Sequence, residues 1–265
     1  MDQNCQNCST QILNNFCDNC GQKKFKKIDR KYIWDEIQYT FLHTNKGFLY
    51  SVKNIIKNPG ETARAFIDGN RVNHYKPILL VFVLSGISTF ISIKIIGFEK
   101  IMSAFYAKET LNSEYMNDVM TSLKSYNSIL MLLIVPVFAL TTKLAFRKWG
   151  NNYYEHVVIN AYIVCVYTVF SIIIISPLLY IFKNNMDYFT MISSLTMLSV
   201  PFILVWFFKG FYPMKPIKSI VGRVLLTFIF LFLLLLILMI LAVIVGFVYA
   251  IIAGPEALQY FKPQQ

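Results

Sequence analysis

The stretch VLLTFIFLFLLLLILMILAVIVGFVYAIIA, Val224 to Ala253, runs for 30 residues without one charged side chain. A soluble body of 265 residues has no place to hide such a run, and an ordinary soluble domain carries roughly 25% charged residues. This chain carries 15%, with 56% hydrophobic residues and a mean hydropathy of +0.51. The composition therefore specifies an all-α polytopic membrane protein. At 30 residues the run is too short for two spans with a turn and longer than one upright span, which takes about 20 residues. It must tilt, bend near Gly246 or project beyond the bilayer.

Working outward, four more stretches are long and apolar enough to span: Pro77 to Ile96, Tyr126 to Phe146, Val157 to Phe182 and Tyr188 to Phe208. Pro136, Pro177 and Pro201 lie inside them, where membrane helices tolerate proline as a kink. The predicted architecture is a five-span bundle over residues 77–253 with a short tail, 254–265. Short cytoplasmic loops retain Lys and Arg. The region up to Lys76 holds twelve of them against seven acids. The connection Gly97 to Ser125 is weakly acidic, Lys143, Arg147 and Lys148 mark the second, Lys183 alone the third, and Lys209, Lys215, Lys218 and Arg223 the fourth. Basic and poor connections alternate, so the N-terminus is expected in the cytoplasm and the C-terminus outside. Trp149, Tyr153, Tyr154, Tyr188, Trp206 and Tyr212 stand at span ends, as an interfacial belt requires.

The first twenty residues hold four cysteines and no apolar core after a basic start, so no signal peptide is read there. In the reducing cytoplasm paired cysteines are expected to ligate metal rather than form disulfides. Cys5 and Cys8, then Cys17 and Cys20, form two CxxC pairs that can converge on one tetrahedral ion. Structural zinc is the first reading of this closed four-thiolate set; iron and redox-active or disulfide-bonded thiols are the alternatives. Gly21 permits a tight turn after the second pair. Residues 1–22 are thus read as a zinc ribbon, in which metal replaces a core too small to form.

A juxtamembrane segment, 23–76, follows. It opens with Lys23, Lys24, Lys26, Lys27, Arg30 and Lys31, six basic residues in nine. Attraction to anionic headgroups or a role in setting topology comes first, an acidic protein partner next and nucleic acid last. Further on, Ile33, Ile37 and Phe41, then Phe48, Val52, Ile55 and Ile56, then Ala63, Phe66 and Ile67 form apolar stripes at helical spacing. They fit amphipathic helices in the headgroup layer, or helices packed on the end of the bundle, equally well. Gly69 can close the last helix in a left-handed conformation. Arg71, His74 and Lys76 then sit at phosphate depth, and Pro77 can start a span where its missing N–H is not needed.

Catalytic motifs are absent: His43, His74 and His156 fall into no two-ligand helical spacing, and no nucleophile elbow or phosphate loop is present. Glu155 and His156 are the nearest thing to a titratable cluster, read as a polar collar at the mouth of the third span. Transport by way of buried ionisable groups finds no support in span centres that hold only Ser, Thr and Asn, and Cys165 is read as a small packing residue.

The series CxxC, CxxCGQ ending at Gln22, Asn58-Pro59-Gly60, Ile67 to Arg71 and Tyr75-Lys76-Pro77 resembles the bacterial domain-of-unknown-function family 3667 over roughly the first hundred residues. Asn70 departs from the basic residue usual before the arginine. The resemblance implies a zinc-ribbon stub, a juxtamembrane segment and a multi-pass location in the bacterial inner membrane; it supplies no catalytic residues. The topology alone is also similar to Yip1-type membrane proteins. The expected function is a non-enzymatic adaptor or scaffold that binds a protein partner at the cytoplasmic face, with Arg71 and Lys76 joining the basic run in contacts to headgroups or partner. The alternative is a small permease with the ribbon as a cytoplasmic gate.

Overall fold

The computed structural model describes residues 3–5, 7–21, 47–71, 74–98, 100–103 and 113–253. The chain divides into two compact units, 1–46 and 47–265. The first contains a two-stranded antiparallel ladder, β1 (Gln3–Asn4) against β2 (Gln11–Ile12), with Gln3 opposite Ile12.

The second unit is helical. α1 (Gly47–Lys57) and α2 (Pro59–Ile67) precede α3 (Pro77–Phe90), which widens into a π turn, Ile91–Ile96. Both α2 and α3 begin on a proline, at the position where a helix amide has no partner to lose. Gly97, at φ +74°, ends the third. α4 (Glu114–Ser125) and α5 (Asn127–Ala145) follow, then α6 (Tyr153–Phe170), a π turn at Ser171–Ile175, α7 (Ser176–Ile181), α8 (Met186–Phe211) and α9 (Ile217–Ala253). The π turn lies immediately before Pro177, whose ring and missing N–H disturb the regular hydrogen-bond ladder one turn back.

Among the described residues four helical stretches are long and apolar enough to cross a membrane: Pro77–Ile96, Tyr153–Ile181, Met186–Phe211 and Ile217–Tyr249. The stretch expected as the second span forms α5, whose apolar part, Ile129–Ala145, is shorter than these four. α5 packs against α3, α6 and α9. α6 is the hub of the bundle, touching α1, α2, α3, α5 and α8, and it buries His156, Asn160, Tyr162 and Cys165 together with its apolar residues.

Three expectations are corrected. The last helix starts at Ile217 rather than Val224, because Lys218 stays exposed at its first turn and Arg223 turns its guanidinium onto the Ala145 carbonyl (2.9 Å), so neither charge ends the helix. It also runs unbroken through Gly246. The connection 97–125, read as a loop, contains α4. The third span begins at Tyr153 rather than Val157, because Asn152 and Glu155 form a reciprocal capping box: the Asn152 side chain accepts from the Glu155 amide and the Glu155 carboxylate accepts from the Asn152 amide, both at 2.9 Å. Such a box satisfies two end amides at once.

For residues 47–67 the structure chooses between the two juxtamembrane readings: α2 lies on α8 and α6, and α1 on α6. Ile55, Ala63 and Ser51 are fully buried there. The stripe Ile33–Phe41 and the tail 254–265 lie outside the described residues.

Candidate functional sites

The cysteine cluster is built by two short turns. In the first, the Cys5 amide donates to the Thr10 carbonyl (2.8 Å) and the Ser9 amide to the Cys5 carbonyl (2.9 Å), while the Asn7 amide points at Cys5 Sγ (3.4 Å). In the second, the Gly21 amide donates to the Cys17 carbonyl at 2.9 Å, with Gly21 at φ +73°. The four sulfurs come within 4.8 Å of one another. Cys5 to Cys20 and Cys8 to Cys17 are 3.5 Å apart, and Cys8 to Cys20 is 3.4 Å. A disulfide would hold sulfurs at about 2.05 Å, whereas a tetrahedron of metal–sulfur bonds of about 2.3 Å has edges of about 3.8 Å. The spacing suits ligands of one ion, and none of the four cysteines is joined in a disulfide. Cys5 and Cys17 are buried, Cys8 is half-buried and Cys20 is exposed. The Thr10 hydroxyl and amide favour the Cys8 thiolate and bring that thiol down to about 6. Together the four residues can hold one metal ion.

The expected basic contacts divide. Lys23, Lys24, Lys26, Lys27, Arg30 and Lys31 lie outside the described residues. Arg71 is exposed, donates from Nε to the Phe66 carbonyl (3.2 Å) and lies 5.6 Å from the Phe66 ring centre. Lys76 is exposed at the start of α3. Between them the His74 ring packs edge-on against Tyr50 and Phe66, and the Tyr75 amide donates to the buried Ser51 hydroxyl at 2.7 Å. Burial lowers the His74 pKa.

Glu155 and His156 part company. Glu155 is used by the cap and by the Asn151 side-chain amide (2.9 Å). His156 is not a surface collar: it is fully buried, with Nδ1 3.0 Å from the Thr142 hydroxyl. Asn160 donates to the same hydroxyl (2.7 Å) and to the His156 carbonyl (2.8 Å). Among the described residues His156 Nε2 has no hydrogen-bond partner, nor have the buried Tyr162 and Ser85 hydroxyls.

Two features escape a reading of the sequence. One is the crossing of α2 and α8, where a Cβ on Gly60 would stand 2.0 Å from the Phe207 carbonyl oxygen. The Asn58-Pro59-Gly60 motif had marked the place without its reason. The other is an aromatic clamp. Phe146 stacks on Phe208 at 4.2 Å, Trp149 meets Tyr212 edge-on at 4.7 Å, and the Tyr212 hydroxyl donates to the Asn151 side chain at 2.7 Å. Trp149 and Tyr212, which the sequence suggests as isolated belt residues, hold the ends of α5, α6 and α8 together.

Residues 45–89 match the family described as Protein of unknown function (DUF3667). The similarity covers α1, α2 and nearly all of α3, and leaves the cysteine cluster outside it. No curated protein and no solved structure matches the chain.

Proposed function

We propose that this is a bacterial inner-membrane protein of five spans, with α5 as the short second span, the N-terminus in the cytoplasm and the C-terminus outside. Cys5, Cys8, Cys17 and Cys20 bind structural zinc. The resulting ribbon, with the basic run Lys23 to Lys31 behind it, is a docking element for a cytoplasmic protein partner, and the chain acts as an adaptor or scaffold rather than an enzyme. The observation that carries this reading is the closed four-sulfur cluster: all four ligand positions are filled by the protein, which leaves none for substrate, as in structural zinc sites. Zinc in such a site supplies folding energy to a segment without a core.

The test compares wild type with the Cys17→Ser/Cys20→Ser variant at matched abundance in native membranes, by crosslinking and affinity capture. Wild type is expected to carry one zinc per chain and the variant none. Partners should be lost with the metal while membrane insertion is retained. Capture that persists without zinc would remove the ribbon from the function. A second reading, a small permease, is favoured by the buried cluster of Thr142, His156 and Asn160 with its unpartnered ring nitrogen. Under it, liposomes should show a solute flux that Asn160→Ala abolishes; flat flux across a broad panel of solutes would retire it.

A further inference from the structure

We propose that the aromatic clamp and the cations around it form a specific binding site for an anionic phospholipid headgroup. Trp149 is the platform: Lys215 Nζ lies 5.6 Å and the Arg223 guanidinium 5.9 Å from its ring centre. Lys148 is its exposed neighbour in the chain and Lys218 is exposed in the first turn of α9. Lys209 ties the turn between α8 and α9, donating to the Pro213 and Lys215 carbonyls at 2.9 and 3.0 Å.

Three observations point to an anion. Lys209, Lys215 and Arg223 meet carbonyls or the Trp149 ring, Lys148 and Lys218 are exposed, and among the described residues none of the five pairs with a carboxylate. Glu155, the carboxylate bonded to the clamp's Asn151, is already taken up by the α6 cap and that side-chain amide. The platform is also rigid, since the Tyr212–Asn151 and Arg223–Ala145 hydrogen bonds join the α8–α9 turn to the α5–α6 turn.

A fourth observation selects lipid among anions. Lys218, Val221, Leu225 and Ile229 fall on one face of α9, by its turn of 3.6 residues, and all four are exposed. A cation therefore heads an uncovered apolar stripe on a membrane-length helix. That pattern complements a phosphate followed by an acyl chain, and basic pockets between spanning helices are a known form of headgroup recognition. The inference rests on the chain spanning a membrane and is independent of the cysteine cluster.

The test uses the full-length protein in mild detergent with equal amounts of phosphatidylglycerol and phosphatidylcholine, reading retained lipid by native mass spectrometry. Wild type is expected to retain phosphatidylglycerol selectively. Lys148→Gln/Lys215→Gln removes two exposed charges without touching a buried group. Its retention should be weaker by about 30-fold, at about fivefold per basic residue facing an anionic surface. Lys94→Gln/Lys183→Gln, an equal charge change at the other end of the bundle, should leave retention unchanged. Equal losses in the two variants, or no preference over phosphatidylcholine, would overturn the site. Displacement by millimolar glycerol 3-phosphate would also overturn it, in favour of a soluble phosphate ligand. Failure to insert into the membrane at all would instead strike at the spanning architecture.

Discussion

At Gly60 the crossing of two helices leaves no room for a methyl group, because the atoms opposite it are the backbone of Phe207, Gly210 and Phe211, at 2.0 to 2.8 Å from an added Cβ. Backbone cannot rotate out of the way as a side chain can. Overpacking of this kind typically costs about 1–3 kcal/mol, so Gly60→Ala is expected to lower the melting temperature in detergent by several degrees. At Gly210 the same addition meets its nearest atom at 3.4 Å, an ordinary contact, and Gly210→Ala should melt within about a degree of wild type. Equal effects of the two substitutions would mean that the crossing is looser than described. His74 offers a second test at this scale. Burial holds its pKa below the ordinary value, so below about pH 6.5 the unfolded chain takes up a proton that the folded segment resists. The contribution of neutral His74 is complete above that pH and is lost as the pH falls toward the lowered value. Melting of wild type should therefore drop between pH 7.5 and 5 by more than that of His74→Phe, which keeps a ring against Tyr50 and Phe66. Parallel pH curves would show that the ring stays solvated.

Among the elements, α6 shows how a local signal sets a global position. Its capping box fixes the first turn at Tyr153, four residues before the apolar run begins, and this places His156 inside the bundle opposite Thr142 rather than at the surface. Loss of an N-cap side chain costs about 1 kcal/mol. Asn152→Ala is expected to lower the melting temperature by about 2–4 °C. It should also weaken the helix end that presents Asn151 to Tyr212, so Tyr212→Phe should add little in the Asn152→Ala background; full additivity would uncouple the cap from the clamp. α9 behaves differently. Its buried residues, Ile220, Val224 and Thr227, all lie in the first third, and the rest of its 37 residues are largely exposed apolar side chains. At about 1.5 Å per residue it is about 55 Å long, well beyond the about 30 Å of a hydrocarbon core.

For the molecule as a whole, the number of spans decides where the C-terminus lies. Four long helices would return it to the side of the N-terminus, and a membrane-crossing α5 puts it on the opposite side. With α5 counted, green fluorescent protein should be bright when fused before Met1 and dark after Gln265, and alkaline phosphatase active only at the latter. Bright fluorescence at both ends would make α5 a buried helix that does not cross. The end of the bundle that carries α1 and α2 also carries Lys148, Lys209 and Lys215, so one face concentrates positive charge, as retained cytoplasmic loops do.

The long helices, the α3 start at Pro77, the positive-φ turns at Gly21 and Gly69 and the convergence of four cysteines were all legible in the sequence. Each depends on neighbours within a few residues, on hydropathy summed along a single segment, or on metal-ligand spacing. The buried seat of His156, the close passage of Gly60 past Phe207 and the clamp around Trp149 were decided only by tertiary structure. They bring together groups far apart in the chain, such as Asn151 with Tyr212 and Ala145 with Arg223, and no local propensity encodes which of several apolar faces will meet. In a bundle whose helices are apolar on every side, hydropathy says that a helix enters the membrane, while small residues and side-chain hydrogen bonds choose its neighbours.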